Sequence, residues 1–226
     1  MPGWAAVSPW TRYTTAGVDG DRRPDDVVEL GPGAVDGLGR RLLGDVTDQR
    51  VLELGTGAGR SAIALARAGT RVVALDSDAG QITRARSNVE DAGVHVELHH
   101  DDLTALAFLP ADAFDAVLSI HALAAVEDLG RVFRQVHRVL KPERPIVVTL
   151  PHPMELMIDP ESNRVVEPYG GSPVRGAGHH LTHDHSVTDV FTLLTRSNFR
   201  VDTLLEPDGD ELHPASVVFR ARKVGV

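Results

Sequence analysis

The stretch Glu53-Leu54-Gly55-Thr56-Gly57-Ala58-Gly59 decides the fold, because it joins two apolar runs of different character. Residues 51–54 predict a short strand, and residues 61–66 predict a helix. Glycines at alternate positions between a strand and a helix allow a sharp turn and let a ligand approach the main chain closely. The stretch therefore predicts a ligand site at the end of the first strand.

Two common nucleotide-binding turns fit this stretch poorly. A P-loop ends in Gly-Lys-Ser/Thr, whereas Gly59 is followed by Arg60-Ser61. A dinucleotide fingerprint is spaced G-x-G-x-x-G, but these glycines are spaced G-x-G-x-G, and Glu53 stands two residues before the first. An acid there repels a pyrophosphate and suits a ligand with a cationic or hydroxyl-rich part. A nicotinamide oxidoreductase on a similar fold stays open as one alternative.

Strands and helices alternate along the chain as far as residue 150. Further strands are predicted at 71–75, 95–98, 114–119 and 145–150, with helices at 78–91 and 126–140. Such alternation is typical of a parallel sheet covered on both faces. Beyond a helix at 186–197, two strands at 200–205 and 215–221 are joined by a short turn, which makes them antiparallel. We expect an α/β fold with a Rossmann-like, doubly wound, mostly parallel seven-stranded sheet, an antiparallel C-terminal strand and helices on both faces.

Carboxylates also follow the second and third predicted strands. Asp76 ends the second strand, where doubly wound folds place an acid that accepts both ribose hydroxyls. Its alternative role is to cap the next helix, although Asp78 suits that role better. Asp102 follows the third strand and either accepts a hydrogen bond from an exocyclic amino group or caps a short helix beginning at Leu103. Together with Glu53, these acids lie at the strand ends that border the ligand crevice of an open parallel sheet.

In this order and spacing, the motifs resemble those of class I S-adenosylmethionine-dependent methyltransferases over about residues 48–150. Glu143 stands where the family usually has the glycine of Leu-Lys-Pro-Gly, a departure confined to a turn. The segments similar to the family's motifs are 51–59 (first motif), 73–77 (second motif), 101–103 (adenine motif), 114–119 (fourth strand) and 136–142 (the helix ending in Leu-Lys-Pro).

The resemblance implies that S-adenosyl-L-methionine is the cofactor and S-adenosyl-L-homocysteine the product. By analogy, the first motif lines the methionine part, with Glu53 organising the loop and the ammonium environment. Asp76 binds the ribose, and residues beside the fourth strand run along the sulfonium. The cofactor-binding residues expected in this way are Glu53, Gly55, Thr56, Gly57, Gly59, Asp76, Ser77, Gln81, Asp102, Leu103, Ser119 and Ile120. Asp115, at the start of a central strand, is expected to order a turn.

Catalytic candidates come from the 11 histidines. An imidazole accepts a proton near neutral pH, so His121, His183 and His185 are candidate general bases. His121 is the first choice because it follows the fourth strand by two residues, although it could instead hold the cofactor through its main chain. The cluster His179-His180-x-x-His183-Asp184-His185 admits a metal site or a solvated, substrate-facing lid. No metal is expected, since the family generally needs none.

The chain is expected to form one domain over residues 1–226. Residues 1–48 form an N-terminal cap or arm, in which Trp10-Thr11-Arg12-Tyr13 either covers the cofactor or belongs to a disordered or packing-only arm. Residues 49–150 form the cofactor-binding core, and 186–226 form a C-terminal helix and antiparallel strands. Residues 151–185 form a substrate lid, because their prolines exclude a long helix.

Composition limits the partners. The chain has no Cys, which excludes disulfides, thiolate metal sites and cysteine nucleophiles. Its formal net charge of -9 disfavours nucleic acid and anionic membranes as partners. No apolar run approaches the roughly 20 residues of a membrane span, and Met1-Pro2-Gly3-Trp4 lacks the features of a signal peptide, so we expect a cytoplasmic protein.

These observations predict methyl transfer from S-adenosylmethionine to an oxygen or nitrogen of a small-molecule acceptor, by a monomer or a homodimer. Ser119-Ile120-His121-Ala122 stands where enzymes that methylate nucleic-acid bases carry Asn-Pro-Pro-Tyr, which disfavours that substrate class. The alternative is a non-catalytic S-adenosylmethionine-binding module of the same fold.

Overall fold

A computed structural model describes residues 27–31, 34, 37–159, 162, 164–166, 169, 175–177, 180–183, 185–207 and 213–225. The helices are α1 (Leu38–Leu43), α2 (Arg60–Arg67), α3 (Ala79–Asp91), α4 (Leu129–Val139), α5 (Pro153–Met157) and α6 (Val187–Arg196), with a 3-10 turn at Ala122–Ala125. Within these ranges no helix has the length and apolar content that crossing a membrane requires.

Seven strands form one sheet: β1 (Arg50–Leu54), β2 (Arg71–Asp76), β3 (Val96–His100), β4 (Ala116–Ile120), β5 (Pro145–Pro151), β10 (Phe199–Leu205) and β11 (Ser216–Lys223). Their order in the sheet is β10-β11-β5-β4-β1-β2-β3. Strands β1 to β5 pair in parallel, while β11 pairs antiparallel with both β5 and β10. The predicted fold class is therefore confirmed.

Four shorter strands lie in the segment expected to form the lid. They pair antiparallel as β6 (Ile158–Asp159) with β7 (Arg164–Val165) and β8 (Arg175–Ala177) with β9 (His180–Thr182). Helix α5, only five residues long, begins with proline at its first position, where the missing N–H costs nothing.

The central strands are buried on both faces. In β1, Leu52 and Leu54 face a core that α4 and α6 cover, whereas Val51 faces a second core with α1 and α2. Strands buried on both sides read as nearly continuous apolar runs, which explains why the sequence pattern located them. The helices lie on both faces of the sheet, as expected.

Two predicted elements differ from the structure near the candidate site. The helix expected from residue 126 begins at Leu129, because the Asp128 side chain caps it by accepting the Arg131 N–H at 2.8 Å. Residues after Asp102 form a turn instead of a short helix, and Asp102 Oδ1 accepts the Thr104 N–H at 2.7 Å.

Asp115 orders the opposite end of the sheet. Its Oδ2 accepts the Arg50 N–H at 3.1 Å, and Lys141 Nζ donates to its Oδ1 at 2.8 Å. Burial alone would raise the pKa of Asp115, but these hydrogen bonds and the charges of Lys141 and Arg144 outweigh burial and lower it. Asp115 thereby joins β1, β4 and the turn between α4 and β5, far from the glycine-rich turn.

Candidate active site

The turn between β1 and α2 depends on glycine at two positions for different reasons. A Cβ on Gly55 (φ 77°) would lie 1.8 Å from the Ala122 Cβ, so glycine lets this turn touch the segment after β4. A Cβ on Gly57 (φ 53°) would meet no atom within 4 Å, and Gly57 borders a cavity. Glycine at position 57 therefore leaves space that a ligand can occupy against the main chain.

Asp76 joins the two turns that follow β1 and β2. Its Oδ2 accepts the Gly57 N–H at 2.8 Å, and its Oδ1 accepts the Asp78 N–H at 2.9 Å. Each carboxylate oxygen keeps a further acceptor position for a ligand hydroxyl. Asp78, as expected, caps α3 by accepting the N–H groups of Gly80 and Gln81.

Glu53 supports the glycine-rich turn from inside the protein. It is 3% exposed, and the Thr56 hydroxyl donates to its Oε2 at 2.6 Å. Burial raises the pKa of Glu53 to about 8, the Asp76 charge acts in the same direction, and the donors of Thr56 and Ala62 offset only part of this. Glu53 therefore favours its protonated form near neutral pH.

A cavity of about 690 Å³ opens where β1, β2, β3 and β4 end. This is the edge at which open parallel sheets bind ligands. Of the predicted site residues, those that border the cavity are Gly55, Gly57, Asp76, Ser77, Gln81, Asp102, Leu103, Ile120, His121 and His183. The site residues that sequence reasoning missed are Asp78, Thr104, Ala122, Ala124, Ala125, Val126, Glu127 and Asp128.

Most of the missed residues belong to one segment, 122–128. Their position depends on the 3-10 turn after β4 and on the start of α4 at Leu129. The sequence pattern predicted no element at residues 122–125 and a helix that begins at residue 126. They could have been found by the rule already applied to Asp76 and Asp102, that residues after the carboxyl end of a parallel strand border the ligand crevice. This segment also directly follows a parallel strand.

Glu53, Thr56, Gly59 and Ser119 lie outside the cavity lining. Ser119, which the resemblance places beside the sulfonium, is fully buried, and its hydroxyl donates to the Leu54 carbonyl at 2.9 Å. A Cβ on Gly59 would lie 3.2 Å from the Ala85 Cβ, which places Gly59 where α2 packs on α3. These residues support the glycine-rich turn without bordering the cavity.

His121 borders the cavity in a backbone conformation that residues other than glycine rarely adopt. Its φ is 66° and its ψ is −30°. The His121 N–H donates to the Thr149 carbonyl at 2.8 Å, and the His121 carbonyl accepts the Ala124 N–H at 3.0 Å. Residues that their surroundings hold in such rarely adopted conformations cluster at functional sites.

His185 lies outside the cavity lining, unlike the other two candidate bases. Its Nε2 donates to the Val126 carbonyl at 2.8 Å, so the ring already has a main-chain partner. This position suits a structural role better than the role of general base that the sequence predicted. His183 does border the cavity, and its N–H donates to the Ala124 carbonyl at 2.7 Å.

The predicted cap at residues 1–48 and the predicted lid at 151–185 lie partly outside the described residues. Two more specific hypotheses also fall wholly or partly outside them. The arm at residues 10–13 is one, and His179 and Asp184 of the histidine cluster belong to the other. In the part of the chain that the structure describes, no three His, Cys, Asp or Glu side chains gather in a group that could hold a metal.

The chemistry of the lining fits the ligand that the resemblance implies. S-adenosylmethionine carries a sulfonium, an ammonium, one carboxylate and two ribose hydroxyls, so it is a net cation. Among the described lining residues there are no lysines or arginines. The carboxylates there, which favour a cation and accept hydroxyl protons, are Asp76, Asp78, Asp102, Glu127 and Asp128.

Sequence relatives agree with this reading of the cavity. A family described as a methyltransferase domain matches residues 51–143. A demethylmenaquinone methyltransferase from Clavibacter sepedonicus is 36% identical over 108 residues, which are 48% of this chain and 43% of that protein. A ubiquinone biosynthesis O-methyltransferase from Azorhizobium caulinodans is 30% identical over 109 residues, with the same coverage of 48% and 43%. The chain thus spans about half the length of the curated relatives it matches.

Solved structures share the fold over more of the chain. An S-adenosylmethionine-dependent methyltransferase from Mesorhizobium loti has a TM-score of 0.68 at 28% identity, covering 81% of this chain and 95% of that one. A 1,6-didemethyltoxoflavin-N1-methyltransferase from Burkholderia thailandensis, solved with S-adenosylhomocysteine, has a TM-score of 0.60 at 17% identity, covering 79% and 72%. The second likeness concerns the fold alone. In its seven-stranded sheet and its matched segment at residues 51–143, the chain is similar to the class I S-adenosylmethionine-dependent methyltransferases.

Proposed function

We propose that the protein transfers a methyl group from S-adenosylmethionine to an oxygen or nitrogen of a small-molecule acceptor. The observation that carries the proposal is one continuous cavity bordered by Gly57 and Asp76 and also by His121 and His183. A cofactor site and candidate proton acceptors thus share one space. Relatives named as a demethylmenaquinone methyltransferase and a ubiquinone biosynthesis O-methyltransferase support a small ring compound as the acceptor.

The cofactor end of the cavity, at the ends of β1, β2 and β3, would hold S-adenosylmethionine mainly through Asp76. Its carboxylate would accept the ribose hydroxyls in the positions left beside the N–H donors of Gly57 and Asp78. Gly57, with its bare main chain, would hold the methionine part, and Asp102 with Leu103 would hold the adenine edge. Ser77 and Gln81 border the same end.

The acceptor end, formed by His183 and the segment after β4, needs few chemical groups. The cofactor supplies a methyl group already activated by its sulfonium, so the protein mainly aligns the acceptor atom behind that carbon. A hydroxyl acceptor must also lose a proton, and the imidazole of His121 is our first choice to take it, with His183 as the second. An amine acceptor attacks through its lone pair and depends less on that base.

Turnover with a small panel of acceptors tests the proposal. We expect at least one hydroquinone, catechol or aromatic amine to yield S-adenosylhomocysteine and a methylated product, both detected by mass spectrometry. His121→Ala should keep cofactor binding and slow transfer to a hydroxyl by about 100-fold or more. His95→Ala, an exposed histidine before β3, is the matched control and should leave the rate unchanged.

Two results would change this assignment. Cofactor binding without transfer to any acceptor favours the non-catalytic binding module. Unchanged transfer in His121→Ala removes His121 as the base.

A further inference from the structure

Two segments far apart in sequence meet at the acceptor end of the cavity. Residues 121–128 follow β4, and His183 and His185 lie at the end of the expected lid. We name residues 121–128 together with these two histidines the β4–lid clasp. The His183 N–H donates to the Ala124 carbonyl at 2.7 Å, and His185 Nε2 donates to the Val126 carbonyl at 2.8 Å. The clasp is thus held by main-chain carbonyls whose positions follow from the turn after β4.

The two histidines of the clasp face different surroundings. His183 borders the cavity, while His185 does not. Their ring centroids lie 6.0 Å apart, and the His185 N–H donates to the His183 carbonyl at 3.0 Å. Since a carbonyl only accepts, His185 Nε2 carries its proton and the ring orientation is fixed.

Helix α6, whose cap residue Ser186 directly follows His185, fixes the main chain there. Ser186 caps this helix in a capping box, where the Asp189 N–H donates to Ser186 Oγ at 3.1 Å and the Ser186 N–H donates to Asp189 Oδ2 at 3.1 Å. His185 therefore connects the capped start of α6 to the Val126 carbonyl. His183, whose carbonyl accepts the His185 N–H, lies between this connection and the cavity.

We propose that His185 is a positioning residue, which places His183 and Val126 at the acceptor end without touching the acceptor. The proposal rests on the proposed function, because it assigns this end of the cavity to the acceptor. Hydrogen bonds among Gly57, Asp76 and Asp78 hold the cofactor end separately. Loss of the His185 bond thus weakens acceptor binding and spares the cofactor.

Variants at position 185 test this role. His185→Ala and His185→Phe, which keeps a ring but no donor, should each raise the acceptor KM by about 10-fold. The affinity for S-adenosylhomocysteine should change by less than about twofold. His185→Gln should restore most of the KM, because its amide can donate to the Val126 carbonyl. The matched control is His137→Ala, which removes an imidazole bond to the Val224 carbonyl (3.1 Å) and should leave KM unchanged.

A double-variant comparison separates positioning from general destabilisation. If His185 acts through His183, the effect of His185→Ala on the acceptor KM should largely disappear in a His183→Ala background. Additive effects of the two substitutions overturn the proposal. An acceptor KM that stays unchanged in both His185→Ala and His185→Phe also overturns it.

A measurement without turnover keeps the proposal distinct from the proposed function. In a histidine ring NMR spectrum, His185→Phe should shift the His183 resonance and leave that of the exposed His95 in place. An unmoved His183 resonance contradicts the positioning role even if transfer is never observed. Failure of the wild type to methylate any acceptor, with a shifted His183 resonance, counts against the proposed function and supports the clasp.

Discussion

At the residue scale, Gly57 and Asp76 form one unit of the cofactor end. The main chain of Gly57 donates to the Asp76 carboxylate at 2.8 Å, so each residue fixes the other. Both positions follow from the sequence, since a strand, a glycine-rich turn and an acid ending the next strand are local patterns. Ser119 and His185 do not border the cavity, because side-chain direction at a strand end or in a loop depends on tertiary packing.

Substitution of Gly57 tests whether the space beside it belongs to the cofactor. In Gly57→Ala the left-handed backbone costs about 1 kcal/mol, and the new methyl group meets no protein atom. We expect a modest loss of thermal stability and a fall in affinity for S-adenosylhomocysteine of about 10-fold or more, measured by calorimetry.

Gly93→Ala is the matched control for this substitution. Gly93 has a φ of 64° and open space around it, but it lies in the turn before β3, at the other end of the sheet. It should lose similar stability without losing affinity. Equal cofactor affinity in Gly57→Ala and Gly93→Ala would show that the ligand does not lie against Gly57.

At the element scale, the turn between β1 and α2 depends on a buried acid behind it. The sequence located this turn because its strand and helix are regular and apolar. The 3-10 turn at residues 122–125 escaped prediction because Ala122-Leu123-Ala124-Ala125 suits a helix equally well, and the Asp128 cap decides where α4 begins.

The buried acid gives this element a pH dependence of stability. The pKa of Glu53 is raised from 4.5 to about 8, so the folded protein keeps this proton at a pH where the unfolded chain has lost it. The stabilisation is complete below about pH 4.5 and is lost as pH rises toward 8, by on the order of 1 kcal/mol per pH unit. Glu53→Gln cannot titrate and should lack this slope.

Urea unfolding between about pH 5 and pH 8 measures the effect. As pH rises, the free energy of unfolding of the wild type should fall relative to that of Glu53→Gln. Glu90→Gln, an exposed substitution in α3, should stay parallel to the wild type. Parallel curves for Glu53→Gln as well would contradict a raised pKa.

At the scale of the whole molecule, strand order creates the site. The strand order reverses between β1 and β4, because β2 and β3 lie on one side of β1 and the chain then crosses back to place β4 on the other side. Parallel pairing brings the ends of β1, β2, β3 and β4 to one edge of the sheet. The sequence predicted the parallel sheet and the antiparallel last strand. It could not predict that β11 lies between β5 and β10, because pairing between distant strands is not written in any local pattern.

Calorimetric titration with S-adenosylmethionine tests the central claim most directly. We expect one site with a dissociation constant below about 100 μM, similar binding of S-adenosylhomocysteine and none of NAD. Asp76→Ala should weaken binding by about 10- to 100-fold, because it removes charged hydrogen bonds, whereas the exposed Asp91→Ala at the end of α3 should not. Absence of S-adenosylmethionine binding at about millimolar concentration, or preferential binding of NAD, would contradict the assignment.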